Sequence, residues 1–447
     1  LIVDAEYIDM IIKNKINKLI FFIVFTSMDS CVAYGEMLLE VEQEIAYSNK
    51  KKEVEKSEVS LKLEWSHRFY NNLDITMIPH LILDYDDSLK GVLSNPYDRA
   101  DNFSSFNGPA YEDENHRVEL LESYADIWLD SASLRIGKQQ VVWGQADGLK
   151  VLDVVNPQNY REFNLSEFED SRIPTWIINL QYPTGNDSSL QVLVIPDMTF
   201  NELADRGSQF EITSSELVPQ PSSGVPISMV NTRRPENGVE AGIRWSLFLA
   251  GWDITANYFN YYQDTPVVYR EVINSTVFVM PKYEPSQLLG FSANTAISDW
   301  VWKVEAGYVI DNYFIRNDLI KLGIQKSDEF LSVFAFDYHG FSDLMVSYQF
   351  FYSKILDYED QVIRKDNSIR HTLLFKKNIW NETLELKFFT LFNQDYDDGQ
   401  VRLKATYEIN DYCSIWSGVD YFYGDRDGPF GQFEDASRFT LGWRWSY

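Results

Sequence analysis

The chain has 447 residues, 15% of them aromatic, and its 67 acidic side chains against 39 lysines and arginines give a formal net charge of −28. That balance excludes a nucleic-acid binder, which must neutralise phosphates rather than repel them. With 27 Tyr and 12 Trp, it also points to either very large cores or many half-exposed rings at an interface.

At the N-terminus Lys13, Lys15 and Lys18 precede an apolar run from Leu19 to Phe25, followed by polar residues and Cys31-Val32-Ala33. This is the order of a secretory signal peptide, predicted over 1–33 with cleavage after Ala33 and with Met10 as an alternative start. The run is too short to span a bilayer as a helix. A lipidated Cys31 fits less well, because Met28-Asp29-Ser30 is a poor approach to a lipoprotein cysteine. The mature chain, 34–447, then keeps only Cys413 and forms no intrachain disulfide. No later stretch has 18 consecutive apolar residues, so any membrane crossing must be made by strands.

Beyond Ala33 the repeated signal is period-two alternation over about ten residues, bounded by turn residues. It predicts strands at 36–47, 58–69, 72–84, 117–129, 132–143, 174–183, 188–196, 237–248 and 251–263. The second half adds 286–297, 300–311, 328–338, 342–354, 368–379, 382–393, 399–409, 412–423 and 437–447. Segments 36–47 and 328–338 carry the weakest pattern, which leaves sixteen as the alternative to eighteen. Charged residues lie on one face of each strand and aromatics on the other, as lumen and bilayer demand. Every second connection is short, and the intervening ones are long apart from 394–398. The fold expected is therefore all-β: a transmembrane antiparallel barrel with short periplasmic turns and long extracellular loops.

Residues 134–157 run Leu-Arg-Ile-Gly-Lys-Gln-Gln-Val-Val-Trp-Gly through to Asn156-Pro157. A strand ending in Gly137-Lys138-Gln139, continuing to Trp143-Gly144 and entering a loop with Asn-Pro, resembles a family of proteobacterial outer-membrane proteins catalogued as a domain of unknown function. It is more distantly similar to alginate-export and phosphate-selective porins. The resemblance implies a barrel with a structured loop after this strand, and no substrate. Physically, Gly137 and Gly144 permit a bulge that re-aims Lys138 and Gln139. The loop 144–173 mixes apolar residues with Lys150, Asp153, Arg161, Glu162, Glu169, Asp170 and Arg172. Folding inward to narrow the barrel gives the apolar residues a place to go; a lid over neighbouring loops is the alternative.

The last strand alternates Phe439, Leu441, Trp443, Trp445 and Tyr447 with Arg438, Thr440, Gly442, Arg444 and Ser446. Ending on an aromatic, it resembles the segment read by the barrel-assembly machinery. Polar faces turned inward would place Lys62, Arg68, Arg244, Lys303, Arg370, Lys376, Lys387, Arg402, Lys404, Arg438 and Arg444 in the lumen. Nearly as many acids, Glu305, Glu385, Glu408 and Asp420 among them, share those faces, and cross-strand pairing is expected for most. The excess negative charge falls mainly in loops, such as 85–116 with Asp86, Asp87, Asp98 and Asp101. Acidic outer loops suit lipopolysaccharide bridged by divalent cations, or simply a solvated surface.

The five histidines, His67, His80, His116, His339 and His371, sit in no hydrolase or metal-ligand frame, although His67 and His80 lie within reach of Asp74 or Asp84. No catalytic residue, metal or cofactor is predicted. The expected function is a porin-like outer-membrane channel for small solutes. Its lumen and constriction would be built from Lys138, Gln139, Lys150, Asp153, Arg161, Glu162, Arg402, Lys404, Arg438 and Arg444. The alternative is a non-channel outer-membrane protein, either an adhesin or part of a lipid or hydrophobic-molecule pathway.

Overall fold

The computed structural model describes residues 35–85, 102–146, 148–167, 170–219, 226–235 and 238–447. The predicted signal peptide, with Cys31, lies outside these residues, as do Asp86, Asp87, Asp98, Asp101 and Glu169. Eighteen strands make the wall. They are β1 (Glu36–Ser48), β2 (Glu53–Tyr70), β3 (Leu73–Asp84), β4 (His116–Leu129), β5 (Ala132–Gln139), β6 (Thr175–Pro183), β7 (Ser188–Ile195), β8 (Glu240–Leu249) and β9 (Trp252–Tyr262). They continue as β10 (Pro285–Ile297), β11 (Trp300–Ile315), β12 (Ile324–Phe341), β13 (Leu344–Ile355), β14 (Asn367–Ile379), β15 (Leu384–Asn393), β16 (Asp398–Asn410), β17 (Cys413–Tyr423) and β18 (Arg438–Ser446). Each pairs antiparallel with the next, and β18 returns to β1, with Ser446 opposite Glu40 and Arg438 opposite Ser48. The sheet is closed, so no strand edge is left unpaired where lipid could not satisfy it.

The alternation of the sequence is resolved as outside and inside. Phe439, Leu441 and Trp443 on β18, and Leu403, Tyr407 and Ile409 on β16, are exposed on the outer surface. Each of the eight short turns carries an exposed aromatic: Tyr70, Trp128, Tyr182, Trp252, Trp300, Phe341, Trp380 and Tyr412. Rings gathered at one rim form the girdle expected at a lipid–water boundary. Trp300 stacks on Trp302 at 5.7 Å and meets Tyr338 at 4.5 Å, so part of this girdle is one continuous cluster.

Three boundaries differ from the sequence reading. The predicted strand 132–143 leaves the sheet at Gln139, because Val141 and Trp143 turn inward and are buried. The predicted long loop 48–57 is a four-residue turn, since β2 begins at Glu53 and pairs with β1 up to Ser48. The 312–327 loop shrinks to 316–323, because β11 and β12 stay paired to Ile315 and Ile324 across a bulge. At this rim a small sheet of 227–229, 267–273 and 276–282 stands on the long loops.

Candidate functional site

The site begins where β5 ends. Gly137 has φ +138°, and a Cβ there would lie 2.2 Å from the Ser123 carbonyl oxygen and 2.6 Å from Tyr124 Cα. Only glycine allows this turn of the backbone. Tyr124 stands directly opposite Gly137 on β4, and the Arg135 guanidinium lies 4.0 Å from its ring centre. Lys138 and Gln139 follow, both buried. The Lys138 ammonium donates to the Asn107 carbonyl at 3.3 Å, and Gln139 Nε2 donates to the Ile177 carbonyl at 3.0 Å.

Asn156 of the Asn-Pro pair clamps the neck of the loop that follows. Its Oδ1 accepts from Val141 N–H at 2.7 Å, and its Nδ2 donates to the carbonyls of Gln139 and Ile173 at 3.2 and 3.1 Å. Trp143, with no exposed surface, donates to Gln191 Oε1 at 2.8 Å and packs edge-on against Phe259. Gly144 lies close against Asp153, where a Cβ would meet backbone at 3.0 Å.

From this neck the chain crosses the barrel interior. Val141, Trp143, Val151, Leu152 and Val155 form an apolar core with Phe259, Leu288, Val309, Val333 and Phe351, the inward residues of β9 to β13. Glu305 on β11 accepts the Gln145 N–H. On the opposite wall Gly148 meets Phe389 of β15. Farther along, Arg161 donates to Glu58 at 3.0 Å, and Lys62 donates to Asp170 at 2.7 Å. Glu162 is held by Lys56 and Arg438, each at 2.6 Å. Glu167 sits between Lys387 at 2.9 Å and Lys404 at 3.3 Å, and the Leu165 carbonyl accepts from Arg402 at 2.7 Å. The loop is therefore tied to β2, β11, β15, β16 and β18, and through Glu202–Leu203 to the next long loop.

Beside the loop lies a cavity of about 1020 Å³, bounded on the wall side by β14 to β18. Its wall bases are Arg370, Lys387, Arg402, Lys404 and Arg438, joined from the loops by Lys150, Arg161 and Arg206, and its apolar lining includes Phe163, Phe389 and Trp416. Burial pushes the Glu167 carboxyl up, but Lys387, Lys404 and Arg402 outweigh it and hold it at about 2. Glu162 is likewise held well below the carboxylate range, burial being overcome by Lys56 and Arg438. Lys150 is displaced the other way, to about 8, by burial that Asp153 only partly offsets.

Of the residues singled out in the sequence, Lys150, Arg161, Arg402, Lys404 and Arg438 line this cavity. Asp153 lies beneath it, bonded to Arg172, and Glu162 supports Arg438. Arg444 pairs with Glu42 at 2.6 Å near the turn-side rim, and Lys138 and Gln139 belong to the loop neck rather than to the cavity wall. Lys56, Phe163, Glu167, Phe389 and Trp416 were not singled out; the carboxylate–lysine contacts of Glu167 span more than two hundred residues of sequence.

His80 approaches neither Asp74 nor Asp84. Its Nε2 is 2.8 Å from Ser60 Oγ and its Nδ1 is 3.0 Å from Glu119 Oε1. A hydroxyl, an imidazole and a carboxylate in that order suggest acyl transfer. Here, however, Ser60 is paired on both sides, to β1 and β3, in regular ladders that aim no pair of amides at an oxyanion. The trio reads as a polar row bracing adjacent strands. Among the described residues no group of three or more His, Cys, Asp or Glu is arranged for a metal ion.

Several solved barrels share this architecture. The outer membrane protein OpdK of Pseudomonas aeruginosa superposes with a TM-score of 0.51 at 8% identity, covering 92% of this chain and 98% of that one. OccK8 (OprE) of the same organism gives 0.50 at 10%, covering 92% and 97%. OccAB1 of Acinetobacter baumannii gives 0.50 at 6%, covering 93% and 96%. At such identities the likeness is one of fold, a porin-like outer-membrane barrel. No curated protein matches by sequence. The family profile described as "Protein of unknown function (DUF1302)" matches residues 80–370, a span that includes the Gly-Lys-Gln turn, the inward loop and the ten strands β4 to β13, and the chain belongs to that family.

Proposed function

We propose that the protein is a passive outer-membrane channel for small solutes, with the loop between β5 and β6 as its constriction. The observation that carries this is the asymmetric filling of the barrel. The loop packs an apolar core against β9 to β13 and leaves the cavity of about 1020 Å³ along β14 to β18. An apolar plug on one side and a charged, hydrated wall on the other give a solute a defined route and a narrow point. In this reading residues 1–33 are the export signal, cut after Ala33. The strand ending at Tyr447 is what the assembly machinery takes up, and the acidic outer loops face lipopolysaccharide.

The test is purified protein in planar bilayers. Steady conductance is expected, and removing residues 148–167 should raise the single-channel value. An unchanged value takes the loop out of the pore. The apolar cavity lining favours a second reading, a conduit for a hydrophobic molecule, and a barrel that passes no current while binding such molecules would support it instead.

A further inference from the structure

The cavity wall carries more than a general positive potential. Lys387 and Lys404 stand opposite one another across β15 and β16. Arg402 lies one inward position farther along β16, toward the loop rim, and Lys404 is 5.1 Å from the Trp416 ring centre. Phe389, next inward after Lys387, supplies an apolar face beside them. The carboxylate that occupies this cluster comes from the loop itself: Glu167 bridges both lysines. Carboxylates are shared here: Lys387 and Lys404 share Glu167, Arg402 and Arg438 share Asp420, and Arg438 also faces Glu162 and Glu44. Two donors and one acceptor are also left over. Arg438, 3% exposed, has no partner among the described residues for Nη1, nor has Arg370 for Nε, and Gln400, 1% exposed, has none for Oε1. All three line the same cavity.

We propose that Lys387, Arg402 and Lys404, flanked by Phe389 and Trp416, bind small organic anions whose carboxylate head is attached to an apolar body, and that Glu167 holds the head-group position until such a solute displaces it. This assignment rests on the channel reading. A tethered carboxylate competes at an effective concentration in the millimolar range or above, so solutes bind weakly and leave readily, as conduction requires. The same displacement releases the Glu167 contacts to β15 and β16, leaving Arg402 on the Leu165 carbonyl, and so couples solute entry to a looser loop.

The experiment separates binding from conduction. Binding of benzoate to the full-length, detergent-solubilised barrel is measured by calorimetry, with benzyl alcohol as the uncharged comparison and heat-modifiable gel migration to verify folding. Glu167→Gln is expected to tighten benzoate binding about tenfold by removing the competitor, and the Lys387→Gln, Lys404→Gln double variant to abolish it. Equal affinity of wild type and Glu167→Gln overturns the displacement, and benzyl alcohol binding as well as benzoate overturns anion recognition. Glu167-dependent binding in a barrel that carries no current supports the site and overturns the channel. A conducting barrel that binds no benzoate does the reverse.

Discussion

Asp153 and Arg172 meet at 2.9 Å inside the barrel, each with its side chain almost wholly removed from solvent. Asp153 lies in the first half of the inward loop and Arg172 near its end, so the pair adds a buried charge contact to the backbone bridge between Gln158 and Arg172 that joins the two arms. Lys150 adds a contact to Asp153 at 3.3 Å. Removing one partner leaves the other charge buried, a loss of about 3–5 kcal/mol for pairs of this kind. Asp153→Ala should therefore loosen the loop while the barrel still migrates as a folded species. Proteolysis between residues 148 and 167 should become fast in the variant and stay slow in the wild type. Equal rates would mean that the walls alone hold the loop.

Gly137 and Tyr124 make a second relationship with a measurable consequence. Tyr124 Cα and Cβ occupy the space that a side chain at 137 would need. Gly137→Ala must adopt a backbone region nearly reserved for glycine, at a cost of roughly 1–3 kcal/mol. It must also push its Cβ away from the Ser123 carbonyl, 2.2 Å distant. The expected result is a lower urea midpoint in the gel-shift unfolding assay, with loop accessibility increased because the bend at β5 sets the loop's direction.

The wall was legible because lipid and lumen impose a strict period of two on every strand, and the turns alternate in length with the side of the membrane. Where that constraint ends, so does legibility. Val141 and Trp143 continue the alternation of β5 after leaving the sheet, because an apolar core inside the barrel selects the same residue types as lipid outside it. Lys50, Lys51 and Lys52 look like a loop, yet form a turn whose Lys50 reaches Asp435 and Glu434, a partnership invisible to local pattern. The bases Arg402, Lys404 and Arg438 were recognisable by face. Glu167, their counterpart on the loop, was not, since only the folded path brings it to β15 and β16. Cross-strand pairing was expected for most wall charges and describes Lys376 with Glu385 and Arg402 with Asp420, but Lys387 and Lys404 reach the loop instead.

The two faces of β18 allow the membrane reading to be tested one residue at a time. Leu441 is 60% exposed on the outer surface, near the middle of its strand, whereas Thr440 faces the cavity. Arginine on the lipid face of a barrel costs about 2–4 kcal/mol at the midplane, and lumen positions tolerate it. Leu441→Arg should fold into liposomes with that loss of stability, and Thr440→Arg with much less. The reverse order would place lipid on the wrong side of the wall.

Lys150 gives the cavity a pH dependence of definite sign. Its ammonium lines the cavity, and burial lowers it from 10.5 to about 8, against Asp153, which raises it, and with Arg172, which lowers it further. Between those two values the unfolded chain binds more protons than the folded one. Stability therefore rises with pH through that window, and the folded state bears the cost of the buried charge below it. The cavity also loses one positive charge as pH rises through about 8, so preference for anions should fall there. Glu167, held at about 2 by Lys387, Lys404 and Arg402, stays ionised throughout and contributes no step. Reversal potentials in a salt gradient at about pH 6.5 and about pH 9.5 should differ for the wild type and converge for Lys150→Gln. A step of the same size in the variant would assign the titration to another group and remove Lys150 from the conducting path.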